Sequence, residues 1–219
     1  MVTIDGTISA NGGSVPGTHT GAGGGSGGGV YIRCATFAGG GIVNANGGDG
    51  GLVYAGGGGG GRIAIVYTNA DAQAAAPTPG LRCSASRGVG FRNGELGTVY
   101  FPDAFALTDI PLGHTGQLIV PSFAGSWAPD KLVVSNGWIQ FAQGFQLTVT
   151  NDVLVVSTGK LELLANGVLS CGGNLTVTNL GQIRIYSGFT NGAPDSYGAL
   201  VNVAGNMTVA SNSWVYSYA

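Results

Sequence analysis

Asp103, Asp109 and His114 fall in one short stretch, the one place in this 219-residue chain where two carboxyls and an imidazole come close in sequence. Carboxyls about 5–10 Å apart can serve as acid and base, or acid and nucleophile, on a glycosidic bond. A neighbouring imidazole can carry a proton. Arg82, Arg87, Arg92 and Glu95 form the only basic cluster. A lyase acting on an anionic sugar needs such cations to neutralise the sugar carboxylate, and a base to take the proton. Both groupings have plainer roles: Asp103 and Asp109 flank turns after Pro102 and before Pro111, and surface arginines bond to loop carbonyls.

Other chemistry finds no footing. No Gly-Lys-Ser/Thr follows Gly56–Gly61, so the glycine run is not a phosphate loop. Gly47-Gly48-Asp49-Gly50 occurs once and lacks the second half of a calcium repeat. His19 and His114 have no partner at ligand spacing, so neither a metal nor a cofactor is expected. Charged residues make up only 8% and the net charge is −2, which points away from nucleic acid. No apolar run reaches the ~18 residues of a membrane span. Cys34, Cys83 and Cys171 are read as small buried apolar residues, with a Cys34–Cys83 pairing left open.

The elements that must hold these residues are strands. Gln146-Leu147-Thr148-Val149 returns as Asn174-Leu175-Thr176-Val177 and again as Asn206-Met207-Thr208-Val209. Self-similarity of this kind marks a stacked repeat, and the period-two alternation makes the repeating unit a strand. On this reading Leu147, Leu175 and Met207 share an inward column with steps of about 4.8 Å. Outside, Thr148, Thr176 and Thr208 form one ladder, and Gln146, Asn174 and Asn206 form an amide ladder.

The first half repeats less cleanly. Ile8, Val43 and Cys83 fall in one column, and Val30, Ile63 and Val99 begin a second strand type after glycine runs. Glycine, at 43 of 219 residues, is read as supplying the positive φ of tight corners. The segment 70–76 is read as a loop, because Pro77 and Pro79 follow it. Expected boundaries are 1–101 for glycine-rich rungs, 102–130 for an irregular Pro-containing excursion and 131–219 for regular rungs, joined in one continuous stack.

The later strand–Asn–Gly–strand–Gly-Gly-Asn rhythm resembles the right-handed parallel β-helices of secreted bacterial adhesins and autotransporter passengers. Gly56–Gly61 with Arg62-Ile63-Ala64-Ile65, and Gly94-Glu95-Leu96-Gly97-Thr98-Val99-Tyr100, resemble Gly-rich repeat modules of very large bacterial surface proteins. The expected fold is therefore all-β, a parallel β-helix (β-solenoid). The expected role is structural or adhesive, in an exported surface or matrix protein, extracellular or at the cell surface. The alternative is a polysaccharide lyase or hydrolase. A third reading is passive glycan binding through Trp127, Trp138, Trp214, Tyr186, Tyr197, Tyr216 and Tyr218. Met1–Asp5 reads as a strand start without a signal peptide, and no capping helix is legible at either end. The chain is thus expected to be part of a longer protein, its ends meeting neighbouring domains or further copies in a filament.

Overall fold

A computed structural model describes residues 1–16, 21–51, 54–107, 112–186 and 198–218. The protein is all-β with long parallel sheets. It has two compact units, Met1–Leu107 with His114–Ser122, and Thr108–Gly113 with Phe123–Ala219.

In the first unit, Thr7–Ser9, Ile42–Asn44 and Arg82–Ser84 pair in series, as do Gly29–Cys34, Arg62–Tyr67 and Thr98–Tyr100. Ile8, Val43 and Cys83 do lie opposite one another, as do Val30, Ile63 and Val99. Thr115–Ile119 joins both series, with Thr115 opposite Ser84 and Gln117 opposite Thr98. One unbroken strand lies against both, so Arg82–Ser84 and Thr98–Tyr100 are halves of a single strand line parted by residues 85–97. In the two preceding layers, residues 45–61 and 10–28 make the same interruption. In the fourth layer Gly116 alone crosses the gap, at φ +143°, where a side chain would press on Val99 and the Gly97 carbonyl.

The inserts run out and back as extended legs. Gly24 and Gly27 donate to the carbonyls of Gly56 and Gly59, Gly57 and Gly60 to those of Arg92 and Glu95, Gly58 and Gly61 to those of Gly48 and Ala45. Each leg thus meets the same neighbour every third residue. That is the period of the polyproline-II helix, which makes no internal hydrogen bonds and leaves every N–H for a neighbour. The legs pack backbone to backbone: a Cβ on Gly58 would overlap the Gly25 carbonyl, and one on Gly24 the Gly48 carbonyl.

This corrects the reading of glycine as a corner residue. Among the described glycines, positive φ occurs at Gly21, Gly39, Gly116, Gly125 and Gly144, and nowhere within the runs 22–28, 45–51 or 55–61. The runs are extended, and at positions such as Gly24, Gly27, Gly47, Gly58 and Gly61 glycine is required because a Cβ would overlap the backbone of a neighbouring leg.

Residues 70–76, read as a loop, contain the helix Ala70–Ala74. The Asn69 side chain caps it by accepting from the Ala72 N–H at 3.0 Å. Buried Gln73 then bonds both backbone groups of Phe37, donating to its carbonyl at 3.0 Å and accepting from its N–H at 2.6 Å. Sequence alone under-weighted this pair, which uses an amide side chain to extend the short sheet of Val2–Thr3 and Phe37–Ala38.

The second unit has three parallel ladders. The first holds Ser126–Trp127, Gln146–Val149, Val168–Cys171 and Leu200–Val203. The second holds Leu132–Ser135, Val153–Val156, Leu175–Val177 and Met207–Val209. The third holds Trp138–Gln140, Lys160–Leu163, Gln182–Tyr186 and Trp214–Tyr218. The chain visits them in that order four times, a circuit being one pass from the first ladder through the second to the third. Alternation buries Leu147, Leu169, Val153, Leu175, Leu161 and Ile183 completely.

The true period is 22 residues, with Gln146 opposite Val168, Val153 opposite Leu175 and Lys160 opposite Gln182. It lengthens to 32 in the last circuit, where Leu175 lies opposite Met207. The expected common ladder is therefore corrected. Gln146 and Thr148 belong to the first ladder and face Val168 and Ser170, whereas Thr176 faces Thr208 in the second. The 28-residue echo compared strands of different faces, because both faces use the same apolar–Thr–apolar pattern.

Candidate functional site

Asp103 and His114, singled out for chemistry, are built into the scaffold. Asp103 accepts from the Tyr67 hydroxyl and from the Phe105 N–H at the start of the short helical turn Phe105–Leu107. Burial, and then Asp103 itself, raise the Tyr67 pKa well above its ordinary value. His114 is buried against Phe101, ring centroids 5.3 Å apart, and its Nδ1 accepts from the Cys83 N–H at 3.1 Å. Burial lowers its pKa from 6.5 to about 4; the Ala106 carbonyl offsets this only in part, and Nε2 has no partner in full hydrogen-bond geometry. No hydrogen bond joins Asp103 to His114 among the described residues, and Asp109 and His19 lie outside them.

Arg82, Arg87, Arg92 and Glu95 are strung along one insert. Arg82 stands at its base in the strand Arg82–Ser84, and Arg92 and Glu95 offer their carbonyls to Gly57 and Gly60. Legs of this type advance ~3.1 Å per residue, which separates Arg82 from Arg92. Several other polar residues serve as rung-to-rung acceptors. Asn11 accepts from the Asn46 N–H at 2.8 Å, and Asn46 from the Ser86 N–H at 2.8 Å. In the second unit Asp152 accepts from the Asn174 N–H at 2.8 Å, and Asn174 from the Asn206 N–H at 3.0 Å. So Asn174 and Asn206 are joined in a ladder whose preceding member is Asp152, in place of Gln146.

The outward side of the third ladder gathers what remains. Its strands place Trp138, Lys160, Gln182 and Trp214 in one column, and Gln140, Glu162, Arg184 and Tyr216 in the next. Tyr186 and Tyr218 follow, stacked at 4.9 Å. Glu162 is only 2% exposed although it points away from the core. It accepts from Arg184 Nη1 at 3.2 Å and Gln140 Nε2 at 2.9 Å, with the Tyr186 hydroxyl at 3.4 Å. Arg184 also donates to Gln182 Oε1 at 2.9 Å and to the Tyr216 hydroxyl at 3.1 Å, and Tyr216 donates to Gln182 at 2.8 Å. Burial works against the guanidinium charge, but Tyr216 and Glu162 outweigh it and raise the Arg184 pKa. Lys160 and Arg184 lie 4.4 and 4.5 Å from the Trp138 ring centroid.

This network fixes its own side chains and has aromatic rings beside it on the paired strand, Trp214 being 45% exposed. Of the residues proposed for sugar stacking, Trp138, Tyr186, Trp214 and Tyr216 share this face with Tyr218. Trp127 instead stacks on Phe123 at 4.9 Å, in a cluster with Phe141 and Phe145; Tyr197 lies outside the described residues. The sequence signal for the face was the period-two spacing of aromatics in 214–218. Its meeting with Glu162 and Arg184 needed the 22- and 32-residue registers. Among the described residues no three His, Cys, Asp or Glu side chains gather as a metal site, and no helix is long and apolar enough to cross a membrane. No protein-family model, curated protein or solved structure matches the chain significantly.

Proposed function

We propose that the second unit is a parallel β-helix, and that the chain is a structural and adhesive segment of an exported bacterial surface or matrix protein, holding polysaccharide on the outward face of its third ladder. The ordered circuits through three ladders support the β-helix, and the sequence resemblance to secreted adhesins supports the setting. One observation carries the adhesive role: Trp214, Tyr216 and Tyr218 line the strand paired with Gln182–Tyr186, where Tyr216 is held by Arg184 and Gln182 and Arg184 in turn by Glu162. Aromatic rings offer an apolar face to the C–H side of a pyranose at low entropic cost, while nearby amide and hydroxyl groups meet its hydroxyls. A network already locked before binding loses little freedom on binding.

The test is retention on immobilised neutral and uronate polysaccharides, with product analysis of the eluate. The expected result is retention without turnover, weakened at least tenfold by Trp214→Ala. No retention on any of them would overturn the proposal. So would release of sugar products that is lost in Asp103→Ala, which would establish the lyase or hydrolase alternative.

A further inference from the structure

We infer that the far ends of two glycine inserts form a sugar-binding site of the first unit, built on Tyr54 and Phe91 and taking a neutral glycan. The site is separate from the third ladder and does not depend on it. The inserts 10–28, 45–61 and 85–97 hold two aromatic residues in all, Tyr54 and Phe91. Each lies near the middle of its insert, where the outgoing leg turns back. They come from different layers, and the fold brings their ring centroids to 5.7 Å. Tyr54 is 80% exposed and Phe91 68%, with Val89, two residues before Phe91, at 61%. Apolar rings gathered in contact yet left in water mark a surface that meets a partner.

The backbone holds the pair in place. Tyr54 has φ +57°, a left-handed conformation that a bulky residue adopts only under strain, and such strain collects where a ligand is met. Hydrogen bonds fix the turn around it. The Phe91 N–H donates to the Ala55 carbonyl at 2.7 Å, and the Gly50 N–H to the Val89 carbonyl at 2.8 Å. The Val89 N–H donates to Asp49 Oδ1 at 2.7 Å. Rings on a fixed backbone lose little freedom on binding.

Size and charge select the occupant. A stable protein interface takes about 20–30 residues a side, whereas two rings and a valine match the face of a sugar. Residues 49–55 and 88–93 hold one acid, Asp49, and one base, Arg92. That balance lacks the cationic surplus that holds a protein to an anionic lipid surface. Asp49, Arg92 and Asn93 are exposed and supply partners for hydroxyl groups beside the rings. An apolar face with a few polar groups around it is what a pyranose requires.

Affinity electrophoresis of the whole chain through gels containing soluble β-glucan, galactomannan or hydroxyethyl cellulose tests this. It is run on wild type and on Trp214→Ala, so that the third ladder is read separately. Retardation of Trp214→Ala by at least one of these neutral polysaccharides is expected. Adding Tyr54→Ala and Phe91→Ala should weaken it at least tenfold, whereas Tyr54→Phe should keep it. Both side chains are in solvent, so circular dichroism should match wild type. Tyr54→Gly gives a reading that a structural role would not: binding falls, yet unfolding comes at the same or a higher temperature, because glycine takes positive φ without strain. Unchanged retardation in the double change, or none of Trp214→Ala in any gel, would overturn the inference. So would earlier unfolding of Tyr54→Gly. Binding of wild type to vesicles of phosphatidylcholine and phosphatidylserine that is lost with Tyr54→Ala/Phe91→Ala, without retardation in any gel, would overturn it in favour of a lipid anchor.

Discussion

The two units stack strands in parallel by opposite means. The second fills the space between its ladders with side chains, so its columns read Leu132–Val153–Leu175 and Ile139–Leu161–Ile183. The inserts of the first carry glycine where one leg presses against another, as at Gly24, Gly58 and Gly61. Their legs lie at the closest approach that backbone allows, and their cohesion comes from N–H groups directed to neighbours every third residue. Both obey the rule that buried backbone groups must be paired. The lesson is that a chain can close-pack either by choosing side-chain volumes or by removing them.

That contrast breaks most severely at a glycine in the legs. Gly58→Ala is expected to open the inserts, because the new methyl overlaps backbone on a neighbouring leg; a loss at or above the upper end of the ~1–3 kcal/mol typical of overpacking is expected. Gly13→Ala, with nothing within 4 Å of the added atom, should shift thermal unfolding within the small range of surface changes. Equal effects of the two would refute backbone contact as the reason for glycine.

In the side-chain-packed unit, Leu175→Ala should cost about 3 kcal/mol by emptying a buried site. Met207→Ala in the same column should cost less than about 1 kcal/mol, because that residue is already half in water. Denaturant titration reads both, and a large effect of Met207→Ala would show the last circuit to be closed.

Glu162→Gln should cost about 3 kcal/mol by leaving Arg184 without its carboxylate in a buried setting. Joint replacement by Leu and Met should recover most of it, because the pair is costly to break and cheap to remove together. Failure of the joint change to recover stability would give the pair a role that apolar packing cannot replace.

A pH dependence confined to the first unit is also expected. His114 titrates at about 4 when folded and at 6.5 in the ordinary case, so the unfolded chain binds its proton first as pH falls. Its neutral state is therefore stable above pH 6.5, and stability declines below that point, by about 2 kcal/mol down to pH 5. Hydrogen exchange of the strands around Cys83 should follow this trend, and His114→Asn should remove it.

The strands themselves were legible. Period-two alternation located Leu147–Val149 and Leu175–Val177, and the columns Ile8–Val43–Cys83 and Val30–Ile63–Val99 follow from spacing alone. Ladder membership was less so. The same apolar–Thr–apolar word serves two faces, and a word that fits either cannot say which it occupies. The helix Ala70–Ala74 was missed because its support is remote: Gln73 bonds the backbone of Phe37. The aromatic side of the third ladder was visible as residue types, but its bed of Glu162 and Arg184 comes from strands of two different circuits.

Sequence by itself determined that strands would stack, because alternating apolar residues can be buried only on one side of a strand and a repeated strand buries them against its own kind. It also determined that the first half would be built on glycine. What the glycines do was decided by tertiary structure. A glycine run is compatible with turns, loops or extended legs, and only the neighbouring backbones, approaching until no Cβ fits between them, select one. The same holds for Glu162: its carboxylate is ordinary in sequence and becomes a buried anchor only because register sets Arg184, Gln140 and Tyr186 around it.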